Sequence, residues 1–188
     1  RAEQWRNVAE MAALAGGDFV EVGTISVAFD CPFDGPIPAE RVIEDARRFV
    51  SLGVRRIAIG DTIGSGTPPR VRALMTQLRA ELPPDTLLIA HFHDSRGTGL
   101  ANAVAAVEAG ITHFDTSLGG TGGHPAGIAY GEGFTGNVCT EDLATLLDAM
   151  GVATGLDLDR VRAAGRAAEA LLGRQLHART IRMGEHTA

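Results

Sequence analysis

Lysine is absent from this 188-residue chain, because all 17 of its basic residues are arginine. The chain therefore cannot form the lysine Schiff base with which one class of enzymes activates carbonyl substrates. Cysteine is scarce as well: Cys31 and Cys139 are the only two. That number excludes a disulfide framework and fits a reducing, cytoplasmic compartment.

Net positive charge and long apolar runs are also missing. The 17 basic residues stand against 23 acidic ones, and the net charge of -6 argues against a nucleic-acid-binding surface. No apolar run approaches the roughly 20 residues that a membrane span needs, and no signal peptide is visible at the start. We therefore expect neither a nucleic-acid partner nor a membrane anchor.

The hydrophobic content of 45% is enough for one sizeable core. Because the chain opens at Arg1 directly into a helical pattern, we expect a fragment of a longer protein. Apolar periodicity then alternates between two types of element. It predicts helices over 2–15, 38–52, 68–82, 98–109, 140–150 and 157–173, and strands over 18–29, 54–60, 86–92 and 111–118.

The alternation of strands and helices with short connections predicts a parallel α/β sheet. Four strands fit either a doubly wound sheet or half of a (β/α)8 barrel, and in both folds the functional groups lie at the carboxyl ends of the strands. The remaining residues, 174–188, read as a frayed C-terminal tail.

Ligand-capable side chains follow all four predicted strands, which core packing does not explain. The stretch "LLIAHFHDSRG" (87–97) carries two of them, His91 and His93, at the end of an apolar strand. Side chains two residues apart in a strand share a face, so both imidazoles can bind one metal ion or form a structural pair. The other groups are Asp30 with Cys31, Asp61 with Thr62, and Asp115 before a glycine-rich stretch.

Four motifs occur in one order: "GDTIGSGTP" (60–68), "HFHDSRGTGLAN" (91–102), "DTSLGGTGGHP" (115–125) and "GNVCTEDL" (136–143). Together with "CPFDG" (31–35), they resemble the 3-hydroxy-3-methylglutaryl-CoA lyases, which are metal-dependent (β/α)8-barrel enzymes with a pyruvate carboxyltransferase-like domain. The resemblance implies the C-terminal half of a TIM barrel over 1–173, with its last four strands and extra C-terminal helices. The first-strand Arg–Asp pair, whose Asp binds the metal in the family, would then lie outside the chain.

The resemblance assigns roles residue by residue. His91, His93 and Asn137 match the metal ligands, and Asp61 matches an active-site carboxylate. The implied ion is Mg²⁺ or Mn²⁺, although the nitrogen and oxygen donors alone would also suit Zn²⁺ or Fe²⁺. The implied activity is cleavage of a 3-hydroxyacyl-CoA to acetyl-CoA and a keto acid. Alternatives are an acetyl-CoA-dependent Claisen-type synthase and a non-catalytic homologue, and we allow for a homodimer.

The chain departs from the lyases in the glycine-rich stretch. They carry cysteine in "GGCP", where this chain has His124, and the loop from there to Asn137 is longer, with "GIAYGEGF" either inserted or changed in sequence. We expect His124 to be the acid on a mobile loop, which completes a catalytic set of Asp61, His91 and His124. The stretch lacks the Lys-Ser/Thr ending of a nucleotide-binding P-loop.

Several other polar residues read as structural. Cys31 and Cys139 are expected to pack, and Asn102 is expected to have a structural role in its helix. Asp94 is expected to orient an imidazole or to be structural. Asp115 is expected to orient groups inside the barrel, without a more specific assignment.

Overall fold

The computed structural model describes residues 2–15, 17–122 and 136–183. Its central sheet has four parallel strands in the order β1-β4-β5-β6, and a short antiparallel hairpin pairs β2 with β3. The strands are β1 (Gly23–Ile25), β2 (Asp30–Cys31), β3 (Gly35–Pro36), β4 (Arg56–Asp61), β5 (Leu87–Phe92) and β6 (His113–Asp115). The helices are α1 (Ala2–Ala15), α2 (Ala39–Ser51), α3 (Pro68–Glu81), α4 (Gly99–Glu108), α5 (Thr140–Ala149) and α6 (Leu158–Leu172).

All six predicted helices and all four predicted sheet strands are confirmed, and the largest difference is in the first strand. The sequence predicts a strand over 18–29, whereas β1 is only three residues long. Val27 ends it, because its φ of 51° is left-handed and incompatible with an extended chain. The Val27 amide donates instead to the Thr62 hydroxyl at 2.9 Å, which ties the end of β1 to the loop after β4.

The two faces of the sheet have different surroundings. Along β5 the residues alternate strictly: Leu88, Ala90 and Phe92 are buried, while Leu87, Ile89 and His91 are half-buried. Helices therefore cover one face of this strand and leave the other open. A doubly wound sheet is covered on both faces, whereas the wall of a (β/α)8 barrel carries its helices on the outside only. The structure thus favours the barrel.

The residues predicted to form a frayed tail are packed as far as the structure describes them. Leu176, Ala178 and Ile181 are each at most 4% exposed, and a 3₁₀ turn covers Thr180–Arg182. The prediction of a frayed tail is therefore wrong for 174–183. No local pattern indicated this packing, because the groups that hold the segment lie far away in the sequence.

A buried carboxylate at the start of α5 anchors this segment. Asp142 accepts hydrogen bonds from the backbone amides of Arg179 and Thr180 at 3.0 and 2.9 Å, and from the Thr180 hydroxyl at 2.8 Å. Asp142 is only 6% exposed, so these donors replace the water that its charge would otherwise hold.

We expect Asp142→Ala to lower the free energy of unfolding by about 2–4 kcal/mol, since three hydrogen bonds to a buried charge are lost together. Urea denaturation measures the change. Asp148→Ala is the matched control, because Asp148 is an exposed residue of the same helix, and its cost should stay within about 0.5 kcal/mol. Equal effects of the two substitutions would contradict the anchoring role.

No helix within the described ranges is both long enough and apolar enough to cross a membrane.

Candidate metal centre

His91 and His93 converge on the open face of the sheet, where β5 ends. Their Nε2 atoms are 3.2 Å apart, and the two rings are inclined by 66°. Two nitrogens bound to one ion at about 2.1 Å lie roughly 3.0–3.4 Å apart, depending on the angle between the bonds. The structure therefore brings the two predicted ligands to a separation that suits a shared ion, and that also suits a hydrogen bond between the rings.

Asn137 joins this pair through the backbone and through its amide. An antiparallel bridge pairs Asn137 with His93. The Asn137 Nδ2 group donates to the Thr121 carbonyl at 2.7 Å, which fixes the orientation of the amide. Its Oδ1 atom is buried and accepts no hydrogen bond from any described residue. A buried acceptor without a partner is costly, and a bound cation would satisfy it.

These three side chains fit a divalent ion. They offer two imidazole nitrogens and one amide oxygen, a mixed donor set that borderline and hard cations accept. Among the described residues no cluster of three or more His, Cys, Asp or Glu side chains is placed to hold an ion, so the amide is an essential member of the set.

Asp115 lies behind His91 on the same face. The two residues are directly paired between β5 and β6, and Oδ2 of Asp115 is 3.1 Å from Nδ1 of His91. The two groups are in close polar contact but are not aligned as a hydrogen bond, and Nδ1 of His91 has no hydrogen-bond partner among the described residues. This contact gives Asp115 a specific neighbour, which the sequence left open.

Asp61 lies on the opposite face of the sheet. Asp61 is paired with Phe92 in the neighbouring strand, whereas His91 is paired with Gly60, and paired residues of parallel strands point to the same side. The Asp61 carboxylate accepts the amides of Ser65 and Gly66, both at 2.9 Å. The structure therefore does not bring Asp61 to the histidine pair, and its catalytic role stays a prediction.

Burial determines the electrostatics of Asp61. The residue is 1% exposed, and this desolvation raises the pKa of its carboxyl, although the two backbone amides act in the opposite direction. Asn102 of α4 donates to the Gly66 carbonyl at 3.0 Å. The loop after β4 is therefore held on both sides by buried polar side chains.

The other acidic groups at the strand ends have structural partners. Asp30 accepts the Ser65 hydroxyl at 2.6 Å and pairs with Arg70 at 2.8 Å, and the hydrogen bond from Arg70 lowers the pKa of Asp30. Asp94 accepts the Gly99 amide at 2.7 Å, where α4 begins. Their position at strand ends reflects loop and helix capping.

Gly136 allows the close approach of the segment that carries Asn137. A Cβ atom at this position would lie 2.4 Å from Oγ of Ser95 and 2.9 Å from Nδ1 of His93. Every residue except glycine would therefore displace the His93 side chain or Ser95. The "GN" pair is visible in the sequence. The need for glycine there becomes clear only from the contact with His93 and Ser95, directly after β5.

Glu141 stabilises the turn beside the candidate site, and the sequence did not indicate this role. It is fully buried at the start of α5, and both of its carboxylate oxygens accept the Gly119 amide, at 3.0 and 2.8 Å. Desolvation raises the pKa of Glu141. The turn that it holds, Leu118–Gly120, leads directly to Thr121, whose carbonyl orients the Asn137 amide.

His124 lies outside the described residues, as does the rest of 123–135. Cys139, by contrast, is buried against Ala178 and Ile181. Desolvation, with the nearby negative charges of α5, raises the pKa of the Cys139 thiol to about 12. This environment agrees with the prediction that Cys139 packs, and it disfavours the thiolate.

We expect iodoacetamide at pH 8 to label Cys31 in the folded protein while leaving Cys139 unmodified. Cys31 is partly exposed, whereas a thiol with a pKa of about 12 has a thiolate fraction roughly a thousand-fold below that of a free cysteine. Mass spectrometry of tryptic peptides measures both sites, and labelling after denaturation in urea is the control. Rapid native labelling of Cys139 would contradict the buried environment.

Comparison with known proteins identifies the family of this chain. A family model described as HMGL-like matches residues 2–167. The chain is 41% identical over 143 residues to "3-hydroxy-3-methylglutaryl-CoA lyase, cytoplasmic" of Rattus norvegicus, covering 76% of this chain and 40% of the relative. It is 42% identical over 151 residues to the hydroxymethylglutaryl-CoA lyase of Pseudomonas mevalonii, covering 80% and 48%.

The fold also has similar neighbours among solved structures. An HMG-CoA lyase from Acinetobacter baumannii, in complex with coenzyme A and 3-methylmalate, superimposes with a TM-score of 0.89 and 33% identity, over 100% of this chain and 60% of that one. The Bacillus subtilis HMG-CoA lyase gives a TM-score of 0.87 and 33% identity, over 96% and 59%. The chain spans about half the length of the curated relatives it matches.

Proposed function

The chain belongs to the HMGL-like family of (β/α)8-barrel proteins, and we propose on this basis that it carries the metal-binding residues of a carbon–carbon lyase. The substrate would be a 3-hydroxyacyl-CoA resembling hydroxymethylglutaryl-CoA, and the products acetyl-CoA and a keto acid. One observation carries the proposal: the Nε2 atoms of His91 and His93 lie 3.2 Å apart, and a backbone bridge pairs His93 with Asn137, whose buried Oδ1 has no hydrogen-bond partner among the described residues.

Dependence on a divalent metal is a property of the family, and for this protein we propose Mg²⁺ or Mn²⁺. His91, His93 and Asn137 would hold the ion. When bound, it supplies a Lewis acid that lowers the pKa of the substrate 3-hydroxyl.

The remaining chemistry consists of two proton transfers and one bond cleavage. A base removes the 3-hydroxyl proton, the C2–C3 bond breaks, and the electron pair leaves on the acetyl-CoA enolate. An acid then protonates the enolate carbon. The chain has no lysine to activate a carbonyl covalently, and the Cys139 thiol is buried, which withholds it from a substrate. His124 is therefore our candidate for the acid, as the sequence predicts.

We expect His124→Ala to lower kcat/KM by about 100-fold or more, since a general acid contributes roughly 10²–10⁴. Because the acid must be protonated, wild-type activity should fall as pH rises. The fall should come about two pH units earlier than with a thiol acid, given reference pKa values of about 6.5 and 8.5. The pH profiles of kcat/KM for both proteins measure this effect.

Thiol alkylation provides the control for that experiment. Wild-type activity should survive it, since Cys139 is inaccessible. If His124→Ala retained the full rate with an unshifted profile, His124 would not be the acid. If alkylation abolished activity and Cys139→Ser reproduced the loss, the acid would be a thiol.

The function itself is tested by incubating the protein with hydroxymethylglutaryl-CoA and Mg²⁺ or Mn²⁺ and measuring the release of acetyl-CoA. Metal binding without turnover would support the non-catalytic alternative, whereas condensation of acetyl-CoA with a keto acid would support a Claisen-type synthase. We also propose a cytoplasmic location, because both cysteines are free and one relative is named as cytoplasmic. A homodimer remains a proposal.

A further inference from the structure

We propose that Asp115 is a positioning residue that holds the imidazole proton of His91 on Nδ1 and so presents Nε2 as a metal ligand. The inference rests on the proposed metal centre, but its central claim concerns a proton on this chain and can be measured without turnover.

The first step is the placement of the carboxylate. β5 and β6 are in register at His91 and Asp115, so both side chains extend from the same row of the sheet towards the open face. The carboxylate Oδ2 lies 3.1 Å from Nδ1. Among the described residues, this is the only acidic side chain within ion-pairing distance of His91.

The second step is the absence of a competing acceptor for Nδ1. In many metal sites a backbone carbonyl or a carboxylate fixes the tautomer of the ligating histidine. Here Nδ1 is buried, and no other group in the described part of the chain accepts a hydrogen bond from it. The Asp115 side chain is 62% exposed, and a small rotation of it would convert the close contact into an aligned hydrogen bond.

The third step concerns the other ring nitrogen. Nε2 of His91 faces Nε2 of His93 at 3.2 Å. If the proton of His91 moved to Nε2, that N–H could donate to Nε2 of His93. The two Nε2 atoms would then be joined by a hydrogen bond, and neither would offer a lone pair to a metal ion. A proton held on Nδ1 instead leaves a lone pair on Nε2, which would be available to a metal ion.

Two substitutions distinguish the negative charge of the Asp115 carboxylate from its ability to accept a hydrogen bond. Asp115→Asn removes the charge but keeps an oxygen that can accept from Nδ1. Asp115→Leu removes both while preserving most of the side-chain volume. Because Asp115 is exposed, neither change should unfold the protein, and thermal denaturation verifies this. Asp85→Asn is the matched control, since Asp85 is an exposed carboxylate before the other end of β5.

The primary readout is ¹⁵N NMR of the imidazole nitrogens in the metal-free protein at pH 8, which distinguishes the two neutral tautomers. We expect His91 to carry its proton on Nδ1 in the wild type, in Asp115→Asn and in Asp85→Asn, and to shift substantially to the Nε2–H form in Asp115→Leu. A His91 tautomer ratio that is unchanged in Asp115→Leu would overturn the inference.

The second readout is Mn²⁺ affinity by isothermal titration calorimetry. Loss of a residue that orients a metal ligand typically weakens binding by about 10–100-fold, and we expect this range for Asp115→Leu, a few-fold change for Asp115→Asn, and none for Asp85→Asn. Equal losses in the Leu and Asn variants would point to charge alone and overturn the positioning role. Absence of lyase turnover, with the tautomer shift intact, would count against the proposed function and leave this inference standing.

Discussion

Replacing His93 with alanine is expected to abolish stoichiometric binding of Mn²⁺ and to lower lyase turnover by more than about 100-fold. Loss of a residue that merely orients a ligand costs about 10–100-fold in affinity, so loss of a ligand itself should cost more. The backbone bridge between His93 and Asn137 does not depend on the imidazole, so the fold around the site should survive. Isothermal titration calorimetry and acetyl-CoA release measure the two effects.

His113→Ala is the control for this experiment. His113 belongs to β6, lies on the same face of the sheet as Asp115, and is exposed. Its ring makes a local contact with Thr112. The His113 variant should therefore bind Mn²⁺ as the wild type does. If His93→Ala kept the wild-type metal stoichiometry and normal activity, the histidine pair would have a structural role and would not bind the metal.

Replacing Asp61 with alanine is expected to lower the free energy of unfolding by about 2–4 kcal/mol, because two backbone amides lose their acceptor in a buried environment. The amides are those of Ser65 and Gly66. Asp61→Asn keeps one amide oxygen as an acceptor and should cost roughly 1 kcal/mol. Neither change should alter the Mn²⁺ affinity by more than a few-fold, since Asp61 lies on the other face of the sheet.

Asp61→Asn also separates the structural role from the catalytic one. If the Asp61 carboxylate is catalytic, the Asp61→Asn variant should be stable and bind Mn²⁺ normally, but its turnover should fall by more than about 100-fold.

The pH dependence of stability gives an independent measurement of the environment of Asp61. Since burial raises the pKa of Asp61, its contribution is fully present below the unfolded pKa of about 3.9 and is lost as pH rises through the folded pKa. The stability of the wild type relative to Asp61→Asn should therefore fall with increasing pH over that interval.

The local elements of this protein could be predicted from the sequence alone. Proline at the start of α3 and glycine after α1 and α4 mark helix ends, because both residues act on backbone torsions within one or two positions. The shared face of His91 and His93 was equally predictable, because side chains alternate along a strand. These inferences rest on covalent geometry and need no knowledge of distant contacts.

The tertiary structure decided what those side chains face. Strand register placed Asp61 on the helix-covered side and Asp115 beside His91, and register is a non-local property that moves a side chain to the other face with a slip of one residue. Likewise, Asp142 anchors backbone amides 37 and 38 positions away along the chain, and the Thr121 carbonyl orients Asn137 across 16 residues. The amino-acid sequence fixes which donors and acceptors this protein has. Only the packing of distant segments decided which of them meet, because a buried polar group is stable only where the fold brings it a partner.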